Sequence, residues 1–449
     1  MTPSSGDTAW VLTSAALVLL MTPGLALFYG GMVRAKSVLN MMMMSFGALG
    51  LISVLWVLYG YTLAFGDDVG GGLLGNLDFV GLEGLISADP LGGLEGEAAG
   101  IPPLAFVGFQ AVFAIITVAL ISGAIADRAK FGSWMVFAAV WATVVYFPVA
   151  HWVFSFDGYT ADVGGWIAND LKAIDFAGGT AVHINAGAAG LALALVLGRR
   201  VGFGKEPIRP HNLTLVMVGA GLLWFGWFGF NAGSALGAGS IASLAWLNTL
   251  VATAAASLAW LATEKLRDGH PTSLGAASGV VAGLVAITPA CSAVNPVGAI
   301  AVGAVAGALC ALAVGLKYRL GYDDSLDVVG VHLVGGVVGT LLIGVVGTAK
   351  APAGVDGLLY GGGTDQLWRQ AVAASVVAVF SFGAAYLIGS AIARTIGFRV
   401  DEEAEITGID LASHAESAYE LGSVTGGGYR AAAASPAATT ATRKERVGA

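Results

Sequence analysis

Charged side chains are scarce in this chain, and their scarcity excludes most soluble folds. Asp, Glu, Lys and Arg make up 11% of the 449 residues, whereas hydrophobic residues make up 56% and the mean hydropathy is +0.79. A soluble domain carries roughly 25% charged residues. Water therefore cannot be the main solvent of this protein. The net charge of −8 lies mainly in one loop and the C-terminal tail, and it predicts no nucleic-acid partner.

Cysteine is also rare, and the N-terminal segment lacks basic residues. The two cysteines, Cys291 and Cys310, lie in or beside apolar segments, where a thiol behaves as a small buried hydrophobic group. We therefore predict no disulfide, metal site or cofactor. Residues Met1 to Trp10 hold no Lys or Arg, so they lack the basic start of a signal peptide. The first apolar stretch is expected to remain as a membrane span.

Long apolar segments dominate the rest of the chain. A helix needs about 20 mainly apolar residues to cross about 30 Å of hydrocarbon. Such segments run over 8–31, 40–65, 104–126, 132–154, 177–198, 212–235, 241–263, 273–290, 296–317, 329–347 and 367–393. The 67 glycines allow helices to pack closely in lipid. Together these features predict an all-α integral membrane protein with eleven transmembrane helices in the cell membrane.

The connecting loops predict the orientation of those helices, because Lys and Arg in short loops stay on the cytoplasmic side. Basic residues follow spans 1, 3, 5, 7, 9 and 11, namely Arg34 and Lys36, Arg128 and Lys130, Arg199 to Arg209, Lys265 and Arg267, Lys317 and Arg319, and Arg394 and Arg399. The other connections hold only Lys172, Lys350 and Arg369. The N-terminus is therefore expected outside and the C-terminus inside.

The composition changes near the C-terminus and divides the chain into three parts. Residues 1–395 form the predicted membrane domain. Residues 396–422 are polar and acidic, and we expect a cytoplasmic regulatory region there. Residues 423–449 are rich in Ala, Gly, Ser and Thr and are predicted to be disordered.

Two histidines lie inside predicted spans, where polar residues are costly and are functional candidates by default. His183 in span 5 and His332 in span 10 are each followed by Gly at the fourth and seventh position. An offset of five spans means that the two helices cross in opposite directions, as in an inverted repeat of spans 1–5 on spans 6–10, with an eleventh helix added. Such transporters bind substrate near the midplane between the repeats. We expect the two imidazoles to meet there, although each histidine could instead bond to a neighbouring helix.

An aspartate precedes each histidine. Asp175 lies eight residues before His183, and Asp327 lies five residues before His332. Both are expected near helix N-termini, where a carboxylate caps free N–H groups. Asp175 could alternatively add negative potential that favours a cation.

Several motifs, in order, resemble those of the ammonium transporter, methylammonium permease and Rhesus family, in particular its microbial ammonium transporters. They are Phe-Tyr-Gly-Gly at 28–31, Phe-Gln-Ala-Val-Phe at 109–113, Gly-Ala-Ile-Ala-Asp-Arg-Ala-Lys-Phe at 123–131, Asp-Phe-Ala-Gly-Gly-Thr-Ala-Val-His-Ile at 175–184, Trp-Phe-Gly-Trp-Phe-Gly-Phe-Asn-Ala-Gly-Ser at 224–234, and Ala-Gly-Leu-Val-Ala-Ile-Thr-Pro-Ala at 282–290. The second-last motif and the one ending in His-Ile are highly specific.

The resemblance implies a homotrimer in which each subunit has its own pore for ammonium or ammonia. Residues matching the family's outer binding site are Phe113, Phe154 and Ser234; those matching its phenyl gate are Phe113 and Phe230; those matching its pore are His183 and His332; and supporting residues are Trp227, Asp175 and Asp327. The family usually carries Trp where this chain has Phe154, so one strong cation-binding ring is replaced by a weaker one. Trp152 is an alternative contributor.

This resemblance implies a mechanism in which ammonium is recruited, loses its proton and passes as ammonia through a hydrophobic pore. Aromatic faces and a hydroxyl acceptor can replace the lost water of a small cation. Potassium and sodium have no proton to lose. Without the resemblance, Phe113 and Phe230 could be ordinary packing, Ser234 a small contact residue and Trp227 part of an interfacial belt.

The C-terminal region resembles a segment that couples subunits and helps to bind a trimeric P-II-type nitrogen signal protein in microbial relatives. The matching residues include Gly-Phe-Arg-Val-Asp-Glu-Glu-Ala-Glu at 397–405, Gly-Ile-Asp at 408–410, His414 and Glu416. A solvated acidic tail is the simpler alternative. Ala415 stands where the family commonly has Gly.

Three other functional classes remain to be weighed. An ammonium sensor on the same scaffold is the main alternative, although no kinase-like or other globular output domain follows Arg399. An ion-coupled carrier of a larger solute would need a sodium site or broken helix pair, and neither is evident. A membrane enzyme is disfavoured because His183, His332 and Asp175 have no evident nucleophile partner.

Overall fold

The computed structural model describes residues 2–91 and 99–419, which are mainly helical. Two short strands, β1 (Thr2–Pro3) and β2 (Ala99–Gly100), pair in parallel near the N-terminus. The predicted disordered tail, 423–449, lies outside the described residues, as do the last residues of the predicted regulatory region, 420–422.

Within that part of the chain, ten helices are long and apolar enough to cross a membrane. They are α1 (Ser5–Met32), α2 (Val38–Phe65), α3 (Pro103–Ile125), α4 (Phe131–Phe154), α5 (Gly179–Leu197), α6 (Leu213–Gly233), α7 (Ser240–Asp268), α9 (Pro296–Leu320), α10 (Val329–Val346) and α11 (Asp365–Thr395). The shorter α8 (Ser273–Ile287) lies between α7 and α9, and α12 (Glu402–Thr407) and α13 (Ile409–His414) follow α11. Short helical turns occur at Val80–Leu82, Leu85–Ser87, Ile167–Leu171 and Leu358–Tyr360.

Each of the eleven expected spans corresponds to a helix, but the eighth is shorter than expected. The segment predicted over 273–290 forms a helix of 15 residues, which is roughly 22 Å long at 1.5 Å per residue. Pro289 follows closely and cannot continue the backbone hydrogen bonds of a helix. The chain continues as a buried turn over 288–294. By length alone, α8 does not qualify as a membrane span.

Helices α1 and α6 pack antiparallel because glycines on α6 let their backbones approach. A Cβ built on Gly229 would lie 2.8 Å from the carbonyl oxygen of Ser14, near the start of α1. A Cβ built on Gly219 would meet the backbone of Phe28, near the end of α1. Small residues at such positions are the usual means of close helix packing in lipid.

The C-terminal segment folds back on the start of α2. The Asp410 carboxylate accepts hydrogen bonds from the amides of Leu39 (2.9 Å) and Asn40 (2.7 Å), and so caps two free N–H groups of that helix. Glu405, also buried, accepts a hydrogen bond from the Val201 amide at 2.6 Å, in the loop between α5 and α6. Residues 399–410 are therefore joined to the membrane domain by specific polar contacts.

Candidate functional site

His183 and His332 come together inside the protein. Their Nδ1 atoms lie 3.3 Å apart, and their rings are stacked with centroids separated by 5.3 Å. Both side chains are buried, at 1% and 3% exposure. A hydrogen bond between two Nδ1 atoms requires one to donate and the other to accept. The two rings therefore lie in contact, as the sequence predicts.

The glycines four residues after each histidine make this meeting possible. A Cβ on Gly187 would lie 2.5 Å from the amide nitrogen of Leu333, the residue after His332. A Cβ on Gly336 would lie 3.0 Å from the side chain of Ile184, the residue after His183. The contact is therefore reciprocal about the histidine pair.

The glycines seven residues after each histidine make different contacts. A Cβ built on Gly190 would lie 3.1 Å from the side chain of Ala124 in α3 and 3.2 Å from that of Val328, the residue before α10, whereas Gly339 faces the backbone of Ala286 in α8. Gly190 thus contributes to the approach of α5 to the start of α10, and Gly339 packs on α8. Their partner helices, α3 and α8, are again five apart in the chain order.

A narrow cavity, here called the histidine cavity, adjoins the two imidazoles. Its lining consists of Met21, Leu25, Phe28, Ile116, Leu120, Val182, His183, Leu223, Trp227, Phe230, Val281 and His332. The volume open to the centre of a water-sized molecule is about 10 Å³, enough for roughly one such molecule. His183 Nε2 is buried without a hydrogen-bond partner. The hydrogen-bonding capacity of this nitrogen is therefore unused among the described residues.

Trp227 holds the His183 ring in place. The indole stacks on that imidazole with centroids 5.3 Å apart and planes 21° apart. Its Nε1–H donates to the Thr288 hydroxyl at 2.8 Å, in the buried turn after α8. Trp227 therefore lines the histidine cavity and orients one of its two polar groups.

Phe113 and Phe230 form a stacked pair between two cavities. Their ring centroids are 4.1 Å apart, and each side chain is 1% exposed. Phe230 lines the histidine cavity, whereas Phe113 lines a second one. The pair predicted as a gate thus lies between the two spaces.

The second cavity, here called the aromatic cavity, contains all three residues predicted for the outer site. It is lined by Phe106, Phe109, Gln110, Phe113, Phe154, Phe156, Tyr159, Thr160, Phe176, Ser234 and Leu236, with a volume of about 40 Å³. The Ser234 hydroxyl donates to the Phe230 carbonyl at 2.8 Å, so its oxygen keeps lone pairs for another donor. Sequence analysis missed two further lining residues. Gln110 lies inside the 109–113 motif but was assigned no role, and Tyr159 lies in none of the motifs.

Trp152 does not line the aromatic cavity. Its Nε1–H donates to the Leu73 carbonyl at 2.8 Å, and its ring packs on Phe380 at 4.9 Å between centroids. Phe154, two residues later on α4, lines the aromatic cavity. The alternative in which Trp152 supplies the missing indole is wrong, because the helical turn directs it to a different neighbour.

Asp175 caps the start of α5, as predicted. Its carboxylate accepts the backbone N–H groups of Gly178, Gly179, Thr180 and Ala181, at 2.7, 2.6, 2.7 and 3.1 Å, and also binds the Thr180 hydroxyl. The side chain is buried, and it lines neither the aromatic nor the histidine cavity. Its geometry is that of a group that builds the helix carrying His183.

The corresponding cap of α10 is Asp324, which sequence analysis missed. Its carboxylate accepts from the amides of Val328 (3.1 Å) and Val329 (2.7 Å), and burial raises its pKa to about 6. Asp327 lies near the start of α10 as expected, but its carboxylate binds the Lys317 ammonium at 2.7 Å instead of capping. Asp324 precedes His332 by eight residues, the same offset as Asp175 before His183, so the equal spacing was the available signal.

The two cavities offer hydrogen-bonding groups set in apolar and aromatic walls. Among residues 2–91 and 99–419, no three His, Cys, Asp or Glu side chains come together as a metal-binding group. The two cysteines are buried and unpaired with each other. The polar side chains that line the cavities are the two imidazoles and the Trp227 indole in one, and Gln110, Tyr159, Thr160 and Ser234 in the other.

Comparison with known proteins identifies the family. Residues 9–419 match the model of the Ammonium Transporter Family. An ammonium transporter of Mycobacterium tuberculosis is 62% identical over 440 residues, covering 94% of this chain and 92% of the relative. One of Bacillus subtilis is 45% identical, covering 92% and 98%.

Solved structures agree with the sequence relatives. Mep2 of Saccharomyces cerevisiae has a TM-score of 0.80 and 32% identity, covering 90% of this chain and 91% of its own. A solved protein named Sensor Amt Protein has a TM-score of 0.82 and 29% identity, covering 91% and 98%. The family consists of transport channels rather than enzymes. With its apolar helices, the chain is a multi-pass protein of the cell membrane, and it belongs to the ammonium transporter family.

Proposed function

We propose that this protein carries ammonium into the cell, for nitrogen assimilation, through a pore that runs from the aromatic cavity past the phenyl pair to the histidine cavity. The observation that carries the proposal is the order of these parts. Phe113 lines the first cavity, its stacked partner Phe230 lines the second, and the histidine pair adjoins the second. A small solute crossing between the cavities must pass the two phenyl rings.

The aromatic cavity suits a small cation that can donate hydrogen bonds. The faces of Phe113 and Phe154 can each stabilise a desolvated cation by about 2 kcal/mol. The Ser234 oxygen accepts a hydrogen bond, since its own proton is used by the Phe230 carbonyl. Ammonium fits both features, and its size suits a volume of about 40 Å³.

Passage beyond the phenyl pair requires loss of the charge. The histidine cavity is lined mainly by apolar side chains and is about one molecule in size, so an unpaired cation there would lose most of its hydration. Ammonium avoids this cost by giving up a proton and crossing as ammonia. The paired imidazoles offer a donor and an acceptor to ammonia, or a relay for the separated proton.

We also propose that the membrane domain, residues 1–395, is an inverted repeat with α1–α5 related to α6–α10 and α11 added. The antiparallel packing of α1 on α6, the reciprocal glycine contacts of α5 and α10, and the capping aspartates eight residues before each histidine support it. In this arrangement α8 counts as the eighth span, completed by the buried turn after it. The N-terminus would lie outside and the C-terminus inside.

Uptake into liposomes tests the proposed function. Purified protein should admit ammonium faster than protein-free liposomes do, measured as nitrogen retained inside, with rubidium uptake as the control for cation leakage. Equal ammonium uptake with and without the protein would refute the proposal. Ammonium sensing on the same scaffold, suggested by the name of one structural relative, is less favoured because the relatives at 62% identity are named transporters.

The region 396–422 is proposed to act as a cytoplasmic regulatory element in a homotrimer, with a P-II-type signal protein as its partner. Its contacts with the start of α2 could transmit a partner's binding to the pore domain. Removal of residues 396–449 should abolish co-purification of the partner with the transporter. Undiminished binding after that deletion would contradict the proposed docking region.

Replacing Asp410 with alanine should release this region from α2. The substitution leaves the amides of Leu39 and Asn40 without their acceptor, at a cost of about 0.5–2 kcal/mol for a lost helix cap. Limited proteolysis should then cut residues 401–419 several-fold faster. Glu402→Ala, at an exposed position of α12, is the matched control and should leave the cleavage rate unchanged. Equal cleavage rates for both variants would contradict the role of Asp410 in holding this region on α2.

A further inference from the structure

The wall of the aromatic cavity includes a tyrosine that the proposed mechanism does not use. Tyr159 lines this cavity together with Phe113, Phe154 and Ser234. Its hydroxyl oxygen is buried and has no hydrogen-bond partner among the described residues. Buried tyrosine hydroxyls usually find a partner, because leaving a buried polar group unsatisfied is destabilising. Tyr159 thus combines a place in the wall of the aromatic cavity with a hydroxyl that lacks a partner, and a solute held in that cavity is the candidate partner.

The loop that carries Tyr159 is held by several hydrogen bonds. The Tyr159 amide donates to the Phe156 carbonyl at 3.2 Å, and the Phe156 amide donates to the Thr160 hydroxyl at 2.8 Å. The Asn169 side chain donates to the Ser155 carbonyl at 2.9 Å, which anchors the loop to the end of α4. The tyrosine ring is thus positioned before any solute arrives, so little ordering cost remains for binding.

The chemistry of a neutral phenol suits an ammonium ion. Burial raises the pKa of the Tyr159 hydroxyl, so the phenol keeps its proton at ordinary pH. Its oxygen can accept an N–H donor, and its ring face attracts a cation more strongly than purely apolar side chains do. Trp152 is directed away from the cavity, and no tryptophan lines it.

We propose that Tyr159 is a specificity-determining residue of the ammonium site. Its hydroxyl oxygen accepts a hydrogen bond from ammonium while Ser234 accepts another. Tyr159 thereby supplies a polar aromatic group to the site. In the family that group is usually a Trp, at the position where this chain has Phe154. This inference rests on the proposed function of the aromatic cavity. Two directed acceptors favour ammonium over potassium, which has no hydrogens to donate.

Tyr159→Phe tests the role of the hydroxyl with little change in shape. A hydrogen bond to a charged group contributes about 1.5–3 kcal/mol, so the half-saturating ammonium concentration for uptake into liposomes should rise about tenfold or more. The maximal rate should change less than about twofold, because a saturated site still feeds the same pore. Tyr159→Ala, which also removes the ring, should raise the half-saturating concentration further.

Tyr360→Phe is the matched control. The Tyr360 hydroxyl lies in another loop, where it accepts from Asn295 at 2.8 Å, and it does not line the aromatic cavity. Its loss should leave the half-saturating concentration unchanged. If the wild type takes up ammonium and the half-saturating concentration of Tyr159→Phe equals that of the wild type, the role of Tyr159 is overturned and the proposed function stands. Absence of ammonium uptake by the wild type would overturn both.

Discussion

Asp175→Ala is expected to reduce ammonium uptake by cells more than tenfold, chiefly by undoing the start of α5. The carboxylate accepts four backbone N–H groups and the Thr180 hydroxyl. Each buried donor left without a partner costs about 1–3 kcal/mol, and 1.4 kcal/mol is already a factor of ten in an equilibrium. His183 follows directly on this segment, so its position depends on the cap.

The measurement for Asp175 combines uptake with the amount of folded protein in the membrane. Both should fall together, because the loss acts through folding rather than through a missing charge in the pathway. Asp170→Ala is the matched control, since Asp170 is exposed in the same loop. If Asp175→Ala protein folded normally and lost only its affinity for ammonium, the electrostatic alternative would replace the capping role.

Substituting alanine for both His183 and His332 should lower ammonium flux about tenfold or more without reducing the amount of folded protein. The pair offers the main hydrogen-bonding groups of the histidine cavity, and a lost hydrogen bond of about 1.4 kcal/mol in the rate-limiting step is a tenfold effect. The separated proton would also lose its relay. Flux is measured in liposomes at saturating ammonium, beside rubidium uptake.

The control for the histidine pair is His270→Ala, at an exposed position after α7. It removes an imidazole far along the chain from either cavity-lining histidine, and its flux should equal that of the wild type. Unchanged ammonium flux together with unchanged exclusion of rubidium in the double variant would contradict the role assigned to the pair. The amount of folded protein is measured in the same preparation. A lower amount would show that the double substitution acts on folding and not on conduction.

Helix positions were predictable because apolar length in lipid is a strong constraint that acts on each segment alone. Expected and observed ends of the ten long helices agree within a few residues. The eighth segment was predicted too long, since Pro289 breaks the helix while the apolar composition continues. An apolar composition indicates that a segment is buried, but it does not show where the helix ends, because that depends on backbone hydrogen bonding.

The pairing of His183 with His332 was predictable because it followed from a repeat in the chain. The capping role of Asp324 was missed although it obeyed the same repeat, because Asp327 is also acidic and lies closer to His332. A third aspartate, Asp323, adjoins Asp324 and pairs with Arg200 at 2.9 Å. Three acidic neighbours can be assigned to their partners only when the path of the backbone is known.

Tyr159 could not be found from the chain alone because nothing in its sequence spacing connects it to Phe113 or Ser234. It reaches the aromatic cavity through a loop whose shape is set by Thr160 and Asn169. The rejection of Trp152 has the same origin. Neighbouring positions of α4 face different partners, and only the folded structure shows that one meets Phe380 and the other lines the cavity.

The most direct test of deprotonation as the basis of selectivity compares ammonium with potassium on the purified protein in liposomes. Transient current on a membrane-coated electrode and internal pH are recorded after equal pulses of each cation. We expect a response to ammonium, as current if the proton follows ammonia or as internal alkalinisation if ammonia crosses alone, and no response to potassium. Equal responses to both cations would contradict deprotonation as the basis of selectivity.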